Sequence, residues 1–177
     1  GGIANISFGN SGSTKAFDIC GCNILLNKYS KIYDKEFDEF GKLSSKGKVI
    51  PELIESLDSI SYSLIEGPKS LDKEKLLNDN YKLIDDYLAN KSDIDLKKIG
   101  HDILATIVEH ISNEIFNVVS KQNNLKNILI TGGGAKNNFL IDQIKIKLNC
   151  SVILPEEKIV DYKDCLLYTS PSPRDTL

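Results

Sequence analysis

From residue 94 to residue 121 apolar side chains return in steps of three and four: Leu96, Ile99, Ile103, Leu104, Ile107, Val108, Ile111, Ile115 and Val118. A stripe kept over about seven turns predicts one long helix with a buried face, capped at its start by Ser92 or Asp93. Behind it the pattern changes. Asn127 to Thr131 reads N-I-L-I-T, and the continuous run Ile128, Leu129, Ile130 predicts a central parallel strand buried on both faces. Gly132, Gly133 and Gly134 follow, and then Phe139, Leu140, Ile144 and Leu148 recur at helical spacing, which predicts a helix with one face on the sheet. Ser151 to Leu154 reads as a further strand, stopped by Pro155.

Nearer the start, Ile3 to Phe8 alternates, Gly9 to Gly12 carries turn chemistry, and Lys15 to Ile19 is a second short strand, so a β-hairpin is expected. A helix runs from Asn23 to about Ser30. Lys31 to Lys48 is charged and broken by Gly41 and Gly47, which predicts a surface excursion. Val49 to Leu57, with Pro51 in its first turn, predicts a short helix. Gly67-Pro68 stops the next piece, and Leu71 to Leu88 suggests one or two helices over the surface. The order is that of an α/β fold: a hairpin, helices, then strand, glycine turn, helix, strand.

Composition narrows the function classes. With 41% hydrophobic and 27% charged residues the chain has the makings of one globular core. A net charge of −3 with no basic block argues against a nucleic-acid surface. No apolar run approaches the roughly 20 residues of a membrane span, so no membrane contact is expected and the chain reads as cytoplasmic. Cys20, Cys22, Cys150 and Cys165 lack paired C-x-x-C spacing, which suggests reduced thiols and neither a zinc site nor a disulfide framework. His101 and His110 lie nine apart, off one helical face, and read as surface or boundary residues with no metal between them.

The ends read differently from the middle. There is no initiator methionine, and the opening Gly1-Gly2 runs straight into a strand pattern, as expected of a piece cut within a turn. Cys165 to Asp175 reads C-L-L-Y-T-S-P-S-P-R-D, which resembles the in-frame translation of a transposase adapter used in sequencing libraries. Residues 165–177 are therefore set aside as a non-native tail; the alternative is a genuine Ser/Pro-rich disordered end.

A glycine turn between a strand and a helix is a common phosphate or nucleotide site, because helix N-terminal N–H groups favour an anion and glycine lets a ligand reach the backbone. Gly-Gly-Gly-Ala is neither G-x-G-x-x-G nor a Walker sequence, so on these residues a plain tight connection fits equally. Asp18, at a strand end before a glycine-containing turn, suits a general base and suits a turn or cap aspartate. Asn137 suits a ligand contact and suits a helix cap.

Three motifs then occur in one order. Gly1-Gly2-Ile3-Ala4-Asn5-Ile6 resembles the phosphate-facing hairpin of anhydro-N-acetylmuramic acid kinases, N-I-G-G-x-x-N; Phe17-Asp18, with Asn23 five residues on, resembles their F-D-x-G-P-x-N; Thr131 to Asn137 resembles their G-G-G-A-x-N. Weaker matches lie at Asp38 to Gly47, Lys69-Ser70-Leu71 and Asp102 to His110, so the likeness spans Gly1 to Asp164. Two departures stand out. Cys20-Gly21-Cys22 replaces Gly-Pro-Gly before the asparagine, and Lys163-Asp164 runs into the tail where the family continues K-E-A-L into a helix.

The resemblance implies an actin-like, sugar-kinase and Hsp70 (ribonuclease H-like) architecture, with residues 1–164 as a C-terminal domain incomplete at both ends. It implies an ATP-dependent kinase that opens the 1,6-anhydro ring of anhydro-N-acetylmuramic acid with water and phosphorylates the released O6, giving N-acetylmuramic acid 6-phosphate. Asp18 would be the catalytic base. Gly1, Gly2 and Asn5 would face the phosphates, Gly132, Gly133, Gly134 and Asn137 the rest of the ATP, and Asn23 the sugar. Mg²⁺ would be held through phosphates and water, with no protein ligand assigned. The implied partner is a small-molecule sugar, a homodimer is compatible with the full-length enzyme, and the piece alone is expected to be inactive. The other reading is a non-enzymatic nucleotide-binding module of the actin or Hsp70 type.

Overall fold

The computed structural model describes residues 2–10, 13–60, 73–91, 95–122 and 125–155. Strands β1 (Ile3–Asn10) and β2 (Ser13–Gly21) pair in an antiparallel hairpin, as their alternation predicts. The register slips between Ala4 and Asn5: Ala4 faces Cys20, Asn5 faces Asp18, and Ile19 has no register partner. That bulge lets the consecutive residues Ile19 and Cys20 both enter the core, at 3% and 1% exposure, which strict alternation would forbid. Among the described residues four helices follow, α1 (Asn23–Ser30), α2 (Pro51–Ser59), α3 (Lys73–Ala89) and α4 (Leu96–Val119). Pro51 opens α2, where its missing N–H has no intrahelical bond to lose. Strand β3 (Asn127–Leu129), helix α5 (Asn138–Lys147) and strand β4 (Ser151–Ile153) close the described chain, β3 and β4 pairing in parallel.

The core is built around α4, which packs against α1, α2, α5 and β2. Its middle is buried all round: Ile103, Leu104, Ile107 and Val108 are fully enclosed and so is Thr106, whose Oγ1 accepts from Ile50 N at 2.9 Å. Each such aliphatic side chain contributes about 1.5–3 kcal/mol by leaving water. The stripe does not extend to Leu96, which is 54% exposed. The helix starts later than its periodicity suggests, because Asp95 is the N-cap, its carboxylate accepting from Lys97 N at 2.9 Å; Ser92 and Asp93 lie outside the described residues. His110 is no boundary residue either. It is buried, with Nδ1 2.7 Å from Asp58 Oδ1 on α2, and Asn113 Nδ2 donates to Asp58 Oδ2 at 2.9 Å. The carboxylate supplies the partner that a buried imidazole needs.

One further expectation changes, and another gains detail. Strand β3 is not buried on both faces: Ile128 and Val152 pack on the core, whereas Leu129 is 61% exposed, and among the described residues β4 is its one strand partner. Residues 31–48 run over the surface, as their charge predicts, with Asp38, Gly41 and Ser44 turned inward. They form short helical turns at Lys31–Tyr33, Glu39–Gly41 and Ser44–Lys46, folded around the buried carboxylate of Asp38. Asp38 accepts from Leu43 N at 2.7 Å, Ser44 N at 3.0 Å and Ser44 Oγ at 2.6 Å. His101 Nδ1 donates to the Leu43 carbonyl at 2.9 Å, and its ring stacks on Tyr33 with centroids 4.4 Å apart. The segment lies so close to α4 that a side chain at Gly47 would run into the His101 carbonyl.

The thiols of Cys20 and Cys22 are core atoms. Burial pushes both up, Cys22 from 9.0 to about 11, and Cys20 is raised further by the neighbouring Cys22 and Glu114. Both stay neutral near pH 7, unlike a nucleophilic or metal-binding thiolate. Cys150 is also free, and no group of three or more His, Cys, Asp or Glu among the described residues is arranged to hold a metal ion.

Two measurements test this core. Gly47→Ala must push α4 and the Asp38 turn apart, and a fall of about 1–3 kcal/mol in unfolding free energy is expected from denaturant titration. For Cys22 the folded thiol titrates near 11 and the unfolded one near 9.0, so stability is fully present below pH 9. Between pH 9 and 11 the unfolded chain loses its proton first and is favoured. Cys22→Ala should therefore abolish about 2–3 kcal/mol of the alkaline loss seen in wild type over that window.

Candidate functional site

Two glycine segments meet at the first turn of α1. The Gly2 carbonyl accepts from Cys22 N at 2.8 Å and from Ile24 N at 3.1 Å, supplying an acceptor to N–H groups that a helix start leaves without an intrahelical partner. Gly2 is pressed against the helix there: a Cβ on it would stand 2.8 Å from Ile24 Cβ. From the other side, a Cβ on Gly133 would stand 2.8 Å from Asn23 Nδ2, and one on Gly134 would lie 3.6 Å from Cys22 Sγ. The turn itself begins at Gly132, whose φ of +78° lies in the left-handed region that glycine adopts without penalty. A Cβ at Gly132 would meet nothing within 4 Å, so its backbone borders open space. Gly133–Lys136 then makes one short helical turn, with Ala135 N donating to the Gly132 carbonyl at 3.0 Å.

Asn137 is 5% exposed and caps α5, its Oδ1 accepting from Leu140 N at 3.0 Å. The cap explains why the glycine turn leads straight into a helix. Asp18 is half-buried on β2, and its register partner Asn5 is exposed on β1. Residues directly opposite on antiparallel strands share a face, so the two form one feature of the hairpin. Gly1 lies outside the described residues. The structure thus brings together Gly2, Asn23, Gly133, Gly134 and Asn137, and sets Asp18 and Asn5 on the adjoining hairpin.

A cleft of about 370 Å³ opens beside the glycine turn, within the range of small-molecule sites, roughly 300–1,000 Å³. Asn23, Leu26 and Asn27 of α1 form one wall, Gly133, Lys136 and Asn137 another, and Phe37, Asp38, Glu39 and Phe40 a third. Asn23, Gly133 and Asn137 are the site residues that the motifs point to. Asn27, Phe37, Phe40 and Lys136 are not, and the one signal for the aromatic pair was two phenylalanines within a charged stretch.

Residues 1–162 match AnmK, the anhydro-N-acetylmuramic acid kinase family. The chain is 30% identical over 164 residues to the anhydro-N-acetylmuramic acid kinase of Francisella tularensis subsp. novicida, covering 89% of this chain and 42% of the relative. It is 32% identical over 160 residues to that of Gamma-proteobacterium EBAC31A08, covering 89% and 41%. The chain therefore spans about two fifths of the length of the curated relatives it matches. Among solved structures it is similar to component A of the (R)-2-hydroxyglutaryl-CoA dehydratase of Acidaminococcus fermentans, with a TM-score of 0.54 and 13% identity over 94% of this chain and 56% of that one. It is also similar to the activator of the 2-hydroxyisocaproyl-CoA dehydratase from Clostridium difficile with bound ADPNP, with a TM-score of 0.50 and 16% identity over 94% and 55%. At such identities the likeness speaks to the fold alone, an α/β fold of the actin-like ATPase kind. By the match over residues 1–162, this chain belongs to the anhydro-N-acetylmuramic acid kinase family.

Proposed function

We propose that the chain supplies part of an ATP-dependent kinase that hydrolyses the 1,6-anhydro ring of anhydro-N-acetylmuramic acid and phosphorylates O6, giving N-acetylmuramic acid 6-phosphate for cell-wall recycling in the cytoplasm. The observation that supports this reading is the convergence of Gly2, Asn23 and Gly133 on one helix start, where the hairpin and the glycine turn both pack. On this reading residues 1–164 are a C-terminal domain and residues 165–177 are foreign to it. No helix among the described residues is long and apolar enough to cross a membrane.

The chemistry follows from what these residues offer. Asp18 accepts the proton of the water that attacks the anomeric carbon, the C1–O6 bond breaks, and the freed O6 takes the γ-phosphoryl group of ATP with ADP as the leaving group. Gly1, Gly2 and Asn5 are assigned to phosphates, and the backbone at Gly132 to Gly134 to the remainder of the nucleotide. The open space over Gly132 suits such a contact, since no side chain among the described residues fills it. ATP supplies the phosphoryl group, and Mg²⁺ is held through phosphates and water. Asn23, which packs against Gly133 between the hairpin and the glycine turn, is assigned to the sugar.

The test is turnover of the anhydro-sugar by the full-length parent protein, followed as sugar-dependent ADP release. Asp18→Asn should lower kcat about 10²–10⁴-fold and leave ATP affinity unchanged. Wild-type protein that binds ATP yet releases no ADP with the sugar would sink the kinase reading and leave a non-enzymatic nucleotide-binding module in its place.

A further inference from the structure

Phe40 holds φ +56° and ψ +17°, in the left-handed region where a bulky side chain is an outlier. The residues on either side hold it there. Asp38 gathers the Leu43 and Ser44 amides and the Ser44 hydroxyl on its carboxylate. Gly41, itself at φ +75°, packs so closely against α5 that a side chain would run into Asn137 and Phe139. The strained residue between these anchors carries a phenyl ring, and Phe40 is 45% exposed. Core packing gives no reason for that ring, and glycine would hold the same backbone without strain. Phe37, 56% exposed, lines the same cleft, as do Gly133 and Asn23. The Lys42 ammonium lies over the Phe40 ring, 5.2 Å from its centroid.

We infer that Phe40, with Phe37, is the aromatic platform on which the base of the bound nucleotide stacks. The inference rests on the nucleotide-binding reading above and extends it to how the base is recognised. An aromatic ring held at a cleft wall offers a π-face to a planar base, an interaction that needs no particular hydrogen-bond pattern. It lines the same cleft as Gly133, so one cleft would take both the base and the part of the nucleotide at the glycine turn. With Lys42 over the ring, a stacked base would complete a layered arrangement of cation, phenyl ring and base.

The experiment is calorimetric titration of the full-length parent protein and its Phe40→Gly, Phe40→Tyr and Phe37→Ala variants with MgATP, and with inorganic tripolyphosphate and Mg²⁺ as a probe lacking the base. Phe40→Gly should raise the Kd for ATP about tenfold or more, leave the Kd for tripolyphosphate unchanged, and leave Tm unchanged or higher because the φ strain is relieved. Phe40→Tyr should retain wild-type affinity, and Phe37→Ala should weaken ATP binding less than Phe40→Gly does. An unchanged ATP Kd in Phe40→Gly, with wild type binding ATP, would overturn the platform and leave the nucleotide reading standing. Equal weakening of ATP and tripolyphosphate would overturn it too, since the ring would then be holding the loop in place. A wild-type protein that binds no ATP would refute the nucleotide reading itself, and the platform with it.

Discussion

A methyl group at position 133 would stand 2.8 Å from Asn23 Nδ2, so the contact between the glycine turn and α1 exists because residue 133 has no side chain. The opposite contact is as tight. Gly2 touches Ile24, and its carbonyl alone serves two amides of the same turn. Among the described residues the hairpin and the β3–β4 pair belong to separate sheets, and this helix start bridges them. Widening either contact by one carbon would separate the elements that carry the proposed site. The glycines therefore set distances between elements as much as backbone conformation.

The Asp38 loop that also lines the cleft shows a different balance. A carboxylate as buried as Asp38 is costly without donors, and three short hydrogen bonds from Leu43 and Ser44 offset that cost. The result is a rigid loop that can hold Phe40 in a conformation it would not adopt alone. Local strain of this sort persists only where the surroundings over-determine the backbone. The ring of Tyr33 on His101, the His101–Leu43 bond and the close approach at Gly47 fasten the same loop to α4. The stiffness of α4 is thus carried to a surface loop early in the chain, across the 58-residue separation of Leu43 and His101.

What the sequence made legible was what local chemistry decides. Pro51 marks the start of α2, Asn137 caps α5, and the steps of three and four mark α4, because caps and periodicity act within a turn or two of chain. The misreadings have long-range causes. His110 looked like a boundary residue because its partner, Asp58, lies 52 residues away. The charge count of residues 31–48 puts them on the surface but hides which one carboxylate, Asp38, points inward. The run Ile128, Leu129, Ile130 does not say how many faces are covered, and here only one is. The site divides the same way. A glycine run before a helix is visible as a demand on backbone, whereas Phe37 and Phe40 follow no period, and their place on the cleft depends on Asp38 and Gly41.

The departure at Cys20-Gly21-Cys22 can be judged on the same terms. Where the family pattern has a proline, Gly21 sits with its would-be Cβ 3.1 Å from Leu25 Cγ, packed onto α1. Where the pattern has a glycine, Cys22 places its sulfur beside Gly134, filling space between the hairpin and the glycine turn. Burial keeps that sulfur neutral and hence apolar enough for the position. A proline would stiffen this turn through its fixed φ. Here the stiffness comes instead from the Gly2 carbonyl holding Cys22 N and Ile24 N, and from two thiols packed into the core. Asn23 lies between those two amides, so its position against Gly133 is secured by backbone bonding and packing on both sides, without the ring.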